Sequence, residues 1–309
     1  MNMWKNFAFF APLSLHAVTP GAWETFPSET SATSWALYDF ADQETYFPSW
    51  LDDSAAGADA NPFIGANFAA DPNPPEGSPT YYNQALWFFA DEFAADGAFY
   101  GDFAAAGVAG IEVDVLITNP DLLLSTDITL ISTESGQPVT YYSQDYSGSA
   151  FPSTPTDWVT LYAAFDQDWF IFDVASQLYV TAEITPEVLA DVVEVGIRFY
   201  PTETSESIWS PFIDNFALTP TIITPTPVPS FSGSDFVITF DTTQANRYDI
   251  QKFNLTNKMW EDFVGFTDLV PTQSNYTFET SISPAKELFR VRPEANYTPV
   301  FSNTRAPRN

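Results

Sequence analysis

The sequence predicts an all-β protein whose antiparallel strands form a sandwich or a barrel. Several short segments alternate apolar and polar residues with the period of two that a half-buried strand requires. Stretches rich in proline, glycine and serine separate these segments, and only one segment has a helical signature. Many short strands with turns between them are typical of sandwiches and barrels. The clearest predicted strands are residues 111–117, 127–132, 158–162, 169–172, 178–181 and 193–200.

The one helical signature lies at residues 185–192. Thr185 can cap the helix, Pro186 occupies the first helical position, and Glu187 falls in the first turn. This predicts one or two turns at most. The acidic residues on the strands are predicted to form the solvated face of each sheet.

The charge distribution predicts two domains. Of the 40 acidic residues 31 precede Pro227, together with only two of the ten basic residues, so the net charge of −30 divides into −29 and −1. The boundary coincides with residues 219–230, which are rich in proline and threonine. We interpret them as a semi-rigid linker, or alternatively as a proline-rich edge strand. The predicted parts are an acidic domain at 23–218, a smaller domain at 231–302 and a tail at 303–309.

The first 22 residues allow two interpretations. Lys5 precedes the apolar stretch 7–15, and Ala17 or Ala22 offers a cleavage site, as in a secretory signal. Pro12 interrupts the apolar stretch, which instead suits a first strand or loop. No later segment approaches the roughly 20 apolar residues that a membrane span needs, so no span is predicted.

Composition excludes several function classes. The chain has no cysteine and one histidine, His16, which excludes thiolate nucleophiles and multi-histidine metal sites. The strong negative charge makes nucleic acid a poor partner. A glycosidase needs only two carboxylates, but no pair stands out among so many. We therefore predict that the protein is not an enzyme.

Four segments of the acidic part carry a family resemblance. These are residues 38–42 with the following Trp50, residues 99–114, residues 194–200 and residues 212–218. They resemble the jelly-roll modules of carbohydrate-binding and laminin IV type A proteins. The resemblance implies a jelly-roll β-sandwich that recognises a polysaccharide or a component of the extracellular matrix. A fold alone does not fix a function.

The smaller domain carries a second resemblance. Residues 236–241, 247–253 and 287–292, together with Trp260, are similar to fibronectin type III-like modules of secreted bacterial surface proteins. This implies a small β-sandwich with Trp260 in its core, which presents or spaces a partner domain. It also implies an extracellular or cell-surface location.

The resemblance to jelly-roll modules further implies a structural calcium ion that ties the first strand to the last. The matching positions are Asp39, Asp42 and Asp214, and Ca²⁺ prefers about six to eight oxygen ligands. The alternative is that Asp214 caps a turn while the other two carboxylates face solvent.

Sugar recognition commonly uses the flat faces of aromatic side chains. The candidate ligand-binding residues are Tyr141, Tyr142, Tyr146 and Trp209, which lie near predicted turns. For each of them, packing in a core is the alternative. Arg198, the only cation between Asn6 and Thr226, is expected to pair with a carboxylate inside the sandwich rather than to contact ligand.

Together these features predict a secreted, non-catalytic protein that binds a glycan or matrix component through a calcium-stabilised domain. The alternative is a structural subunit of an extracellular surface layer, filament or matrix, in which copies of the chain associate with one another.

Overall fold

A computed structural model shows a chain that is almost entirely β, which confirms the predicted fold class. The structure describes residues 18–19, 21–40, 43–51, 62–66, 85–92, 94–134, 136–152, 157–202, 210–222, 224–232, 235–242, 246–254, 256–270, 273–281, 288–295 and 298–299. Two large sheets form an N-terminal unit, and two three-stranded sheets form a C-terminal unit.

Among the described residues, two short α-helices and three short 3₁₀ helices accompany the strands. The α-helices are α1 (Glu29–Ala32) and α2 (Pro186–Leu189), and the 3₁₀ helices are Ala94–Gly97, Pro120–Leu122 and Gly148–Ala150. The strands are, in chain order, β1 (Ala22–Glu24), β2 (Ala36–Asp39), β3 (Glu44–Tyr46), β4 (Ser49–Leu51), β5 (Phe63–Gly65), β6 (Leu86–Ala90), β7 (Val108–Ile117), β8 (Leu123–Ser132), β9 (Val139–Tyr142), β10 (Tyr146–Ser147), β11 (Val159–Ala164), β12 (Trp169–Asp173), β13 (Leu178–Ala182), β14 (Val192–Pro201), β15 (Pro211–Pro220), β16 (Val228–Ser232), β17 (Asp235–Asp241), β18 (Asn246–Asn254), β19 (Met259–Asp262), β20 (Asn275–Ser281), β21 (Phe289–Ala295) and β22 (Thr298–Pro299).

The N-terminal unit consists of a seven-stranded and a nine-stranded sheet around one core. The first has the order β11-β7-β15-β1-β22, with β4 and β5 attached beside β15. The second has the order β13-β12-β9-β8-β14-β6-β2-β3, with β10 beside β8. Side chains from both sheets share a single apolar cluster. Trp35 lies within it, 4.8 Å from the Phe216 ring and 5.8 Å from the Phe99 ring.

The predicted helix exists but is one turn long. The Thr185 side chain accepts a hydrogen bond from the Val188 amide at 3.4 Å, as an N-cap should. The helix ends at Leu189 because Val192 already begins β14 and pairs with Ser132.

The C-terminal unit has its own small core. Tyr248, Ile250, Phe278 and Val291 are among its buried residues. Trp260 is not, which corrects the expectation that it fills this core. It pairs with Phe253 in the β18–β19 register, and Phe253 is an odd number of positions from the core residue Ile250. Strand alternation therefore places Trp260 on the opposite face of this sheet, beside Arg290.

Strand residues occupy both ends of the predicted linker 219–230. β15 runs to Pro220, and β16, which contains Pro229, is an edge strand of its sheet. β22 pairs in parallel with β1 of the N-terminal unit. Ala22, at the end of the segment 1–22, is buried in β1, whereas residues 1–17 lie outside the described part of the chain. Within that part, no helix has the length and apolar character needed to cross a bilayer.

Candidate functional site

The outer face of the nine-stranded sheet carries a row of polar and aromatic side chains. On β8, Ile128 and Leu130 face the core, so Asp127 and Thr129, which alternate with them, face outward. Asp127 pairs with Arg198 on β14, and Arg198 pairs with Trp87 on β6. Directly paired residues present their side chains on the same face of a sheet, and the row therefore crosses three adjacent strands.

This row leads into a cavity of about 710 Å³. Its walls combine aromatic residues with hydroxyl, amide and carboxyl groups. The lining residues are Leu124, Ser125, Asp127, Tyr142, Ser143, Gln144, Asp145, Phe170, Tyr179 and Tyr200. They come from β8, β9, β12, β13, β14 and the segment between β9 and β10, so the sheet itself positions most of them.

Two tyrosines form a perpendicular corner of the cavity. The rings of Tyr142 and Tyr179 lie 5.2 Å apart at an interplanar angle of 88°. Phe172 supports Tyr179 from its own strand pair, at 5.4 Å and 64°. Edge-to-face contacts of this kind are favourable beyond the buried area alone, which fixes the orientation of the corner.

Arg198 lies behind this corner. Its Nη1 donates hydrogen bonds to the hydroxyl oxygens of Tyr142 at 3.1 Å and Tyr200 at 3.4 Å. The guanidinium also lies over the rings of Trp87, Tyr142 and Phe40, at 4.5, 4.8 and 5.3 Å. Among the described residues, the hydrogen bonds of Arg198 go to tyrosine hydroxyls. The expected pairing with a carboxylate is therefore not a bidentate one.

Asp127 is the most buried ionisable group of the cavity wall. It is 3% exposed, and its Oδ1 has no hydrogen-bond partner in the described part of the chain. Burial raises the pKa of Asp127 to about 7, and the charge of Asp145 contributes in the same direction. The positive charge of Arg198 and a hydrogen bond with Tyr200 oppose this rise in pKa. Burial also raises the pKa of Asp145.

Of the three predicted ligand-binding residues that the structure describes, one lines the cavity. Tyr142 does so, whereas Trp209 lies outside the described residues. Tyr141 pairs with the core residue Leu130, is 5% exposed and donates its hydroxyl hydrogen to Glu134 at 2.8 Å. The structure therefore removes Tyr141 from the candidate ligand-binding set.

Tyr146 also turns toward the core. It pairs with the buried Thr126, packs against the core cluster, and donates its hydroxyl hydrogen to the Tyr162 carbonyl at 2.6 Å. Tyr141 and Tyr146 are displaced from the cavity for the same reason, because strand alternation puts them on the inner face of the sheet.

The predicted calcium ligands do not share a sheet. Asp39 lies on β2 of the nine-stranded sheet and Asp214 on β15 of the seven-stranded sheet, while Asp42 lies outside the described residues. Across the described part of the chain, no three histidine or carboxylate side chains group closely enough to hold a metal ion. Asp214 is buried, and its Oδ1 accepts a hydrogen bond from the Asn215 amide at 2.7 Å.

Glu24, which was not among the predicted site residues, lies on β1 beside β15. Its Oε1 accepts a hydrogen bond from the Phe26 amide at 2.9 Å, and its buried Oε2 has no partner among the described residues. Burial raises the pKa of Glu24 to about 8, with a contribution from the charge of Asp214. Burial, with the charge of Asp114, raises the pKa of Asp214 to about 7. The sequence signal that could have indicated this pair is a carboxylate in the first strand, Glu24, together with Asp214 in the strand that leads into the predicted linker.

No protein-family model matches the chain, and no curated protein matches it. Among solved structures, the chain is similar to the L4b domain of human laminin alpha-2, with 11% identity and a TM-score of 0.42, over 65% of this chain and 98% of that one. It is also similar to the CBM22-1–GH10 modules of xylanase 10B from Clostridium thermocellum, with 10% identity and a TM-score of 0.33, over 70% and 30% of the two chains. For the cellulose-induced protein Cip1 the values are 12% and 0.29, over 63% and 94%. Likenesses at this level add nothing to the geometry of the site.

Proposed function

We propose that this is a secreted, non-catalytic protein that binds a glycan or matrix component in the cavity on the outer face of the nine-stranded sheet. The observation that carries the proposal is the perpendicular corner of Tyr142 and Tyr179 beside buried and half-buried polar groups. A pyranose presents an apolar face to an aromatic ring and hydroxyl groups to the polar wall. Ligand pockets of about 300–1,000 Å³ with few polar groups are the usual setting for such recognition.

The polar part of the wall suits a ligand with many hydroxyl groups. Ser125 offers a hydroxyl that donates or accepts, and Gln144 offers an amide that does both. The Ser143 hydroxyl is already engaged, because it accepts from the Ile128 amide and donates to the Gln144 carbonyl. Asp127 and Asp145 accept hydrogen bonds when they are ionised. The wall therefore supplies both halves of the hydrogen bonds that a sugar hydroxyl forms.

The absence of catalysis is part of the proposal. A glycosidase places its two carboxyl groups in contrasting environments. One environment raises the pKa of the general acid, and the other keeps the second carboxyl group ionised. In this cavity burial raises the pKa of both Asp127 and Asp145. Neither carboxyl group therefore has the preserved acidity expected of a nucleophile.

The calcium part of the proposal rests on Glu24 and Asp214. The unpartnered buried Oε2 of Glu24 and the neighbouring charge of Asp214 fit a hard cation that prefers oxygen ligands. A bound Ca²⁺ would neutralise two carboxylates whose burial is otherwise costly. These two residues lie on adjacent strands β1 and β15, so the ion would fasten these two strands to each other.

A glycan array followed by calorimetry tests the proposed binding. We expect retention of at least one polysaccharide and a loss of about fivefold or more in affinity for Tyr179→Ala, since an aromatic contact contributes on the order of 1 kcal/mol. Tyr162→Ala is the matched control, because Tyr162 is similarly exposed (39% against 43%) but lies on the other sheet. Absence of any retained glycan, or equal losses in the two variants, would contradict the proposal.

One observation favours the alternative of a self-assembling structural subunit. In the described part of the chain, β13 is an edge of the nine-stranded sheet, and its residues Leu178–Ala182 include neither a charge nor a proline. Leu178 and Val180 are exposed. Edge strands without such protection readily pair with another strand. Sedimentation at increasing concentration tests this, and Val180→Lys should abolish any association that the edge supports.

A further inference from the structure

We infer that the cavity selects glycans that carry protonated amino groups, in preference to neutral or uronic-acid glycans. This rests on the proposed function and names the ligand class of the same site. Three features support it: the carboxyl groups that line the cavity, the position of Arg198 behind the cavity wall, and the tyrosine rings of the wall.

The charged groups of the wall are carboxylates. Asp127 is buried, lines the cavity and keeps Oδ1 without a partner among the described residues, while Asp145 lies near enough to disfavour its ionisation. None of the described lining residues is a lysine, arginine or histidine. A cation between two carboxylates relieves both their mutual repulsion and their burial. A carboxylated glycan would add to that repulsion instead.

Arg198 does not provide the missing countercharge to a ligand. Its guanidinium is enclosed by the rings of Trp87, Tyr142 and Phe40, and its Nη1 donates to tyrosine hydroxyls. It is not a lining residue. One positive charge behind two carboxylates leaves the site net negative when both are ionised, and the accessible charge is entirely negative.

The aromatic corner suits an ammonium group as well. Tyr142 and Tyr179 both line the cavity, and because the Arg198 guanidinium already lies over the Tyr142 ring, Tyr179 is the ring available to a second cation. A cation near the face of a ring is attracted by the ring quadrupole, and this attraction increases when water is excluded. The charge of −29 before Pro227 further raises the local concentration of a cationic polymer. The groups of the cavity wall and the net charge of the chain before Pro227 therefore both favour a cationic ligand.

Calorimetry with four matched tetrasaccharides tests the inference. The probes are β-1,4-linked tetramers of glucosamine, N-acetylglucosamine, glucose and glucuronate, at one ionic strength of about 0.15 M. The pH is held near 7, where the carboxyl group of Asp127, with its pKa of about 7, is partly ionised and the amine is still partly protonated. We expect the glucosamine tetramer to bind at least about tenfold more tightly than its N-acetylated form, a difference of about 1.4 kcal/mol. The glucuronate tetramer should bind most weakly.

Variants separate the cavity from the overall charge. Asp127→Asn and Asp145→Asn should each remove most of the preference for glucosamine. Asp166→Asn changes the net charge equally at an exposed turn away from the cavity and should retain it. If Asp127→Asn does not fold, Asp145→Asn decides the question.

Three outcomes are distinguishable. Equal binding of the glucosamine and N-acetylglucosamine tetramers overturns the inference while the proposed glycan binding stands. A preference that survives in both cavity variants also overturns it, because the preference then arises from net charge. If no tetramer and no arrayed glycan binds, the proposed function fails, and the inference fails with it.

Discussion

The indole Nε1 of Trp87 donates a hydrogen bond to the Thr129 hydroxyl at 3.0 Å, although β14 lies between their strands. Gly196 of β14 makes this possible. A Cβ at this position would lie 2.7 Å from the indole Nε1 and 2.3 Å from the Phe88 carbonyl oxygen. The indole thus lies flat across the sheet, where it supports the Arg198 guanidinium that in turn holds Tyr142.

Replacing Gly196 with alanine should therefore weaken both folding and ligand binding. The added methyl group has to displace a backbone oxygen and the indole, and overpacking of this kind costs about 1–3 kcal/mol. Urea unfolding measures the first effect and calorimetry the second. Gly110→Ala is the matched control, since its Cβ would approach the Ala163 carbonyl at 2.6 Å on the other sheet. It should reduce stability and leave ligand affinity unchanged.

Replacing Arg198 with methionine should destabilise the protein by about 3 kcal/mol or more, because it leaves the buried Asp127 without its nearby positive charge. The double variant Arg198→Met, Asp127→Asn should recover part of this loss, because it removes the unpaired charge. Urea unfolding of the two single variants and the double variant gives the coupling energy. Additive effects would show that the two residues act independently.

The sequence predicts a strand correctly where only one face of that strand is buried. Ile111, Val113 and Val115 alternate with polar residues, and β7 forms there. β6 lacks this alternation because four of its five residues are buried, and a continuous apolar run does not distinguish a strand from a buried helix.

The candidate site was harder to predict because it depends on which strands become neighbours. Asp127 was assigned with other strand acids to a solvated face. It is instead buried on the outer face, because Arg198 pairs with it and aromatic side chains from neighbouring strands cover that face. Similarly, the adjacent Tyr141 and Tyr142 take opposite roles once β9 pairs with β8 in a fixed register. The hydrophobic pattern constrains the register of a strand pair, but it does not say which strands become neighbours.

The stability of the calcium-free protein should fall as the pH rises from about 5 to about 8. The folded-state pKa of Glu24 is raised from 4.5 to about 8, and those of Asp127 and Asp214 from 3.8 to about 7. Between these values the folded state holds protons that the unfolded state has released, so stability decreases with rising pH.

Glu24→Gln isolates the contribution of Glu24 to this slope. Loss of one linked proton should reduce the slope by up to about 1.4 kcal/mol per pH unit. Urea unfolding in the presence of a chelator, repeated across this pH range, measures it. An unchanged slope in the variant would mean that Glu24 ionises in the folded protein as it does in the unfolded chain.

Calcium should oppose this pH dependence. The ion binds ionised carboxylates, so its stabilising effect should be larger at about pH 8 than at about pH 5. A ligand that binds only the folded state stabilises it by RT ln(1 + [L]/Kd), or about 2.7 kcal/mol at 100 times Kd. Thermal unfolding with calcium chloride and with sodium chloride at equal ionic strength separates specific binding from screening of the acidic surface.

Variants then assign the calcium ligands. Asp214→Asn and Glu24→Gln should each remove most of the calcium-specific stabilisation and leave the sodium effect intact, because each removes one of 40 acidic side chains and screening barely changes. Asp39→Asn alters the net charge equally, and Asp39 lies on the other sheet, so this variant should retain the calcium effect. Loss of the effect in Asp39→Asn and in Asp214→Asn, but not in Glu24→Gln, would restore the assignment that the resemblance implied. Equal effects of calcium and sodium on the unmodified protein would mean that the carboxylates of Glu24 and Asp214 hold no ion, and that their burial is balanced by protonation alone.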